Sequence, residues 1–197
     1  MDPSADGATR ERIDPSGAWL DHARRLPSPN QDDRPPGTVV DLLVVHGISL
    51  PPGEFGTGQV EALFQNRLDP SAHPYFAGIA ELRVSAHLLI ARDGSVTQFV
   101  PFLARAWHAG VSSFGGRERC NDFSVGVELE GTDDIPYTEA QYRRLAGVTL
   151  ALMERFPAIG PQRLVGHSDI APGRKTDPGP AFDWAALRRR LGTADRC

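Results

Sequence analysis

The segment VGHSDIAPGRKTDPG, residues 165–179, crowds His167, Asp169, Lys175 and Asp177 among prolines and glycines that forbid a long helix or strand. A second histidine, His46, ends the apolar run LLVV. Two imidazoles and one carboxylate would give a zinc ion three ligands and leave its fourth position open to water, as hydrolytic zinc sites require. Spacing alone leaves Asp169 and Asp177 both available as that carboxylate. A lone histidine is more often a satisfied core or surface residue. What favours a shared cleft is that both histidines stand at the ends of strand-like runs, where rigid backbone fixes side-chain geometry.

Glu128, in FSVGVELEG, is the natural general base, because a carboxylate on a strand face can take a proton from water and return it to a leaving amine. Glu130 shares that face, and two acids on the solvent side of a strand give the same pattern. Lys175 is the single lysine among 21 basic residues. Its compact ammonium, unlike the wide guanidinium fork, suits a tight site where negative charge develops on oxygen. Chance survival in an arginine-biased chain accounts for it equally. His87 in SAHLLI and His108 in RAWHAG read as structural or substrate-facing rather than as ligands. Serine or cysteine nucleophiles are weaker readings: no GxSxG elbow is present, and Cys120 in RERCND has no recognisable activating context.

The elements that must position these groups follow from pattern. TVVDLLVVH is a strand by its β-branched and apolar run between Pro-Gly and Gly47. QVEALFQNRL, with Val60, Leu63, Phe64 and Leu68 near one helical face, predicts a short helix. ELRVSAHLLIA and SVTQFVP are strands joined by RDG, a hairpin signal. FSVGVELEG alternates Val125, Val127 and Leu129 against Gly126, Glu128 and Glu130, a strand with one polar face. Leu145, Thr149, Leu152 and Phe156 form a helical stripe after Thr138 and Gln141, which predict a capping box. RLVGH is a brief strand, and FDWAALRRRL a closing amphipathic helix. Mixed hairpin and crossover connections favour an α+β fold, a mixed central β-sheet flanked by helices, over a doubly wound one.

Composition narrows the partners. A net charge of -4 gives no basic field for nucleic acid or an anionic membrane. No segment approaches the roughly 18 apolar residues of a membrane span. The start, MDPSADGATRERIDPSG, has no signal-peptide core, and Cys120 and Cys197 make no disulfide or metal framework. A cytoplasmic location is the expectation. Residues 1–18 are expected to be a disordered extension, 19–191 one domain, and 192–197 a tail. Trp19 is expected to anchor AWLDHARRL on the body, and LPSPNQDDRPPG to be an irregular lead-in.

Together LLVVHGISLPPGEFG, HPYF, LRVSAHLLIARDG, AWHAGVSSFGGRERCNDFSVGVELEGTD and GHSDIAPGRKTDPGPAFDW resemble the zinc N-acetylmuramoyl-L-alanine amidases related to peptidoglycan recognition proteins, over about residues 19–191. Among them the resemblance is to those acting on 1,6-anhydro-muropeptides in peptidoglycan recycling. It implies a mixed sheet with flanking helices, one Zn2+ per chain, and hydrolysis of the amide between the lactyl group of anhydro-muramic acid and L-alanine. It also implies His46, His167 and Asp177 as zinc ligands, Glu128 as catalytic acid/base, Lys175 as oxyanion stabiliser and Tyr75 as a tyrosine implicated in activity. Arg83, Trp107 and Arg119 match substrate-contacting positions. Asp169 is then expected to brace its loop by hydrogen bonding. Gly47 departs from the pattern, since relatives commonly have Asn after the first ligand. A monomer with an anhydro-muropeptide substrate and neither nucleic acid nor membrane as partner completes the expectation. The alternatives are a cell-wall lytic amidase and a non-catalytic peptidoglycan-fragment binding module.

Overall fold

The computed structural model describes residues 11–192. In chain order its elements are β1 (Arg24–Arg25), β2 (Gln31–Asp33), β3 (Leu42–Ile48), α1 (Gln59–Phe64), β4 (Leu88–Ile90), β5 (Val96–Gln98) and β6 (Ala104–Ala106). There follow β7 (Ser113–Phe114), β8 (Arg117–Glu118), β9 (Ser124–Glu130), α2 (Glu139–Arg155), β10 (Leu164–Gly166), α3 (His167–Ile170) and α4 (Trp184–Arg190).

Six strands form the central sheet in the order β1-β5-β4-β9-β3-β10. Only the β4–β5 hairpin is antiparallel; the other neighbours run parallel. The sheet is therefore mixed, as the alternation of hairpin and crossover signals predicted. All seven residues of β9 are buried, because β4 and β3 flank it and other segments cover both its faces. The polar face of that strand thus lies inside the protein, which excludes the solvent-side reading of its two acids.

Alternation along the strands sorts the core. Leu43 and Val45 of β3 and Val125, Val127 and Leu129 of β9 pack with Leu145, Val148 and Leu152 of α2 and Leu187 of α4. Each such aliphatic side chain contributes about 1.5–3 kcal/mol when fully buried. Helix α2 begins at the predicted capping box, with the Thr138 hydroxyl accepting the Gln141 N–H and the Gln141 side chain accepting the Thr138 N–H. On the opposite face Leu42 and Val44 meet Phe123, Val165 and Ile170. That face also carries His46 and Glu128, directly opposite each other in the β3–β9 register.

Some sequence expectations change at the edges. Of residues 1–18, expected to be disordered, 1–10 lie outside the described residues, while 11–18 pack on the body. Glu11 is buried and ion-paired with Arg144, and the Asp14 carboxylate accepts the Ala18 and Trp19 N–H groups. The anchor of the following segment is Leu20, 1% exposed, rather than Trp19, because the Leu20 N–H donates to the buried Gln98 side chain and fixes that residue inward. The Pro-rich lead-in contains β2, paired with β6. In ELRVSAHLLIA only Leu88–Ile90 form a strand, and Leu82 and Arg83 are exposed outside the ladder. Residues 193–197, most of the expected tail and Cys197 with it, lie outside the described residues.

Candidate metal centre and cleft

Strand β3 delivers His46, and the junction between β10 and α3 delivers His167. Because β3 and β10 are adjacent and parallel, both imidazoles emerge at the same end of the sheet. Asp177 follows on the loop beyond α3, tied back where its backbone carbonyl accepts the Ser168 N–H at 3.0 Å. His46 Nδ1 lies 3.0 Å from His167 Nδ1 and 3.2 Å from Asp177 Oδ2, and His167 Nδ1 lies 3.1 Å from the same oxygen. Among the described residues this is the group of His, Cys, Asp and Glu side chains suited to hold a metal ion.

The triangle fits a tetrahedral ion. Zn–N and Zn–O bonds of about 2.0–2.1 Å put neighbouring ligand atoms roughly 3.3 Å apart, close to the edges found here. The donor set, two imidazole nitrogens and a carboxylate oxygen, is one that zinc takes in open sites. His167 Nε2 sits 3.2 Å from the Ala109 carbonyl, which can only accept, so the ring proton belongs on Nε2 and Nδ1 presents a lone pair to the triangle.

Electrostatics agree with a cation site. Burial lowers the His46 pKa to about 4, so its imidazole is neutral at pH 7. Burial works to raise Asp177, yet its place against the His167 and His46 imidazoles outweighs that and holds the carboxylate well below its usual range. Glu128 is pushed well above the ordinary glutamate value by burial, then by the Asp177 charge, with Lys175 acting in the opposite sense. Its Oε2 is buried without a hydrogen-bond partner.

These groups meet at a cleft of about 520 Å3 whose wall includes Tyr75, Trp107, Glu128, His167, Lys175 and Asp177. Lys175 is exposed on that wall. Tyr75, also exposed, stands on a single 3-10 turn whose first N–H groups are capped by His73. Trp107 is held by its indole N–H, which donates to Asp32 at 3.1 Å. Arg119 lines instead an adjoining hollow of about 560 Å3 together with Arg174. Arg83 is outside both walls, exposed beside Glu81 and flanked by Leu82 and Val84, which do line the cleft.

The remaining sequence candidates have other tasks. Asp169 accepts the Gly166 N–H at 2.7 Å and braces the ligand loop, as expected. Glu130 accepts N–H groups from Gly56 and Arg92, pinning the loop after β3. His87 accepts the Gly126 N–H at Nδ1 and faces the Ala104 carbonyl through Nε2, a satisfied structural histidine. His108 touches the metal triad from behind, with Nδ1 2.9 Å from His46 Nε2. Tyr137 escaped the sequence reading altogether: its hydroxyl donates to the Pro178 carbonyl, beside Asp177, and no spacing or motif marks that contact.

A mixed sheet ending in a His-His-Asp triad that could hold a metal ion, beside a buried unpaired carboxylate and an open cleft, is the arrangement of a hydrolase of the amidase type. Residues 36–180 match the family model described as N-acetylmuramoyl-L-alanine amidase, and the chain belongs to that family. The chain is 65% identical over 170 residues to the 1,6-anhydro-N-acetylmuramyl-L-alanine amidase AmpD of Citrobacter freundii, covering 86% of this chain and 90% of that protein. A crystal structure of a selenomethionine AmpD derivative superposes with a TM-score of 0.86 at 64% identity, covering 88% of this chain and 96% of that one. AMPDH3 from Pseudomonas aeruginosa, solved in complex with anhydromuramic pentapeptide, gives a TM-score of 0.60 at 30% identity over 79% of this chain and 61% of that chain. Among the described residues no helix is long and apolar enough to cross a membrane.

Proposed function

We propose that this chain is a zinc-dependent amidase that hydrolyses the bond between the lactyl group of 1,6-anhydro-N-acetylmuramic acid and L-alanine in muropeptides. The observation that carries the assignment is the likeness, over most of both chains, to a relative named for that activity, with the His-His-Asp triad and the buried Glu128 in place. Location in the cytoplasm, a role in peptidoglycan recycling, a monomeric state with one zinc per chain, and a single amidase domain that takes in residues 11–18 as well as 19–191 belong to the same proposal.

His46, His167 and Asp177 would hold the zinc. Bound there, zinc supplies Lewis acidity that polarises a carbonyl and makes water a stronger acid. Glu128 takes the proton of the attacking water, for which its unpartnered oxygen is free. It then hands that proton to the departing L-alanine amine, a cycle that a raised pKa favours because the acid form must be accessible near neutrality. Lys175 places a positive charge on the cleft wall where the carbonyl oxygen becomes anionic. Tyr75 offers its hydroxyl to the same region. Trp107, fixed by Asp32, presents a flat apolar surface to the sugar. Arg119, in the adjoining hollow, suits the carboxylates of the stem peptide, and Arg83 extends the same role from the rim.

The test is product analysis by mass spectrometry after incubation with soluble anhydro-muropeptides and, separately, with intact cell wall. Release of the peptide from the anhydro-muropeptides alone is expected. Digestion of intact wall would move the assignment to a lytic amidase, and binding without turnover of either substrate to a recognition module.

A further inference from the structure

Behind His46 runs a chain of polar contacts that the hydrolytic steps do not use. His46 Nε2 lies 2.9 Å from His108 Nδ1, His108 Nε2 lies 3.1 Å from Ser124 Oγ, and Ser124 Oγ lies 2.6 Å from the Cys120 carbonyl. His46, His108, Ser124 and Cys120 are all buried. The direction of the chain follows from its last member. A carbonyl only accepts, so the single Ser124 hydroxyl proton goes to Cys120. Ser124 Oγ must then accept from His108, which puts the His108 proton on Nε2 and leaves its Nδ1 an acceptor. His46 accordingly donates from Nε2, and its Nδ1 is left as a bare lone pair aimed at the triad.

The surroundings are shaped for this ring. The His108 and Ala109 N–H groups both donate to Asn121 Oδ1, at 3.1 and 2.7 Å, which fixes the backbone. Gly126 lies under the imidazole so closely that a Cβ there would come within 2.5 Å of His108 Cγ. Ser124 and Gly126, two residues apart on one face of β9, thus give the ring its acceptor and its space.

We propose that Ser124 and His108 are positioning residues that set the tautomer of His46, holding its proton on Nε2 so that Nδ1 is open to the metal before any metal arrives. This rests on the metal-site assignment made above. Outer partners of this kind typically change metal affinity about 10- to 100-fold when removed.

Two measurements test it. In wild-type protein without metal, two-bond proton–nitrogen NMR correlations of the ring nitrogens should show both His46 and His108 protonated on Nε2. A proton on Nδ1 of either ring overturns the proposal, and that measurement needs no variant to fold. Next, zinc affinity measured by competition with a chromophoric chelator should fall about 10- to 100-fold in His108→Leu and stay within a few-fold in His108→Asn, whose amide oxygen can replace Nδ1 as acceptor. Equal affinity of His108→Leu and wild type overturns the positioning role while leaving the metal site standing. Equal losses in Leu and Asn variants that both keep the wild-type circular dichroism overturn it as well, since packing alone would then account for both. Failure of the wild-type protein to bind zinc at all overturns the metal-site assignment itself, and the proposal with it.

Discussion

Glu128 is the residue where fold and chemistry conflict most openly: a carboxylate is buried in the sheet, with one oxygen unpartnered. Glu128→Gln keeps the volume and removes the proton acceptor, so turnover should fall by about 10²–10⁴-fold. Zinc content by elemental analysis should remain near one per chain, because Glu128 is outside the triad. The same substitution should raise the melting temperature of the metal-free protein. Burial lifts the folded-state pKa above the ordinary 4.5, so ionising Glu128 costs the folded state stability. That cost is absent below 4.5 and grows as pH rises towards the folded value, so the advantage of the Gln variant should be larger at pH 7 than at pH 4. In catalysis the sign is reversed: kcat/KM should drop, as pH is lowered, at a higher pH than an unperturbed glutamate would set. At this scale the sequence was informative about types but not about choice. Two histidines at strand ends were visible; spacing left Asp177 and Asp169 both open and only the family resemblance chose between them, because which carboxylate turns inward depends on loop backbone that no periodicity encodes.

Among the elements, the β3–β9 pair decides the site, since register places His46 opposite Glu128. Both strands were legible from apolar runs, as were α2 and its capping box. The short edge strands β1 and β2 were not, because Arg24–Arg25 and Gln31–Asp33 have no apolar alternation and owe their form to pairing partners distant in sequence. Gly47 shows the limit of the family comparison too. A Cβ at this position would stand 2.3 Å from the Tyr137 hydroxyl, which here bonds the Pro178 carbonyl at 2.9 Å. Gly47→Ala should therefore displace Tyr137 and cost about 1–3 kcal/mol in chemical denaturation, as overpacking does. Tyr137→Phe should cost about 1–3 kcal/mol if the carbonyl is left unpaired in the interior. Both should weaken zinc binding, read by chelator competition, because the strap they loosen carries Asp177.

For the molecule as a whole, the segment of residues 11–25 closes one edge of the sheet rather than trailing from it. Leu20→Ala should destabilise the protein by about 2–5 kcal/mol in urea melts, a core-sized loss from a short N-terminal segment. Composition misled for residues 11–18 because inward contacts, the buried Glu11 with its Arg144 ion pair among them, fix a stretch otherwise rich in polar and small residues.

The triad also has a thermodynamic side. Its histidines are 121 positions apart in sequence, and the carboxylate stands 131 from the first. An unfolded chain holds no such chelate, so zinc captured there distinguishes folded molecules from unfolded ones almost completely. Linkage then returns nearly the whole of the binding energy as folding stability, about 4 kcal/mol when free zinc exceeds its dissociation constant a thousandfold. The melting temperature should climb with the logarithm of free zinc and fall back on chelation, and a single-ligand variant such as His46→Ala should flatten that climb. Metal loading of the proposed site would thus be a report that residues 46, 167 and 177 have found one another.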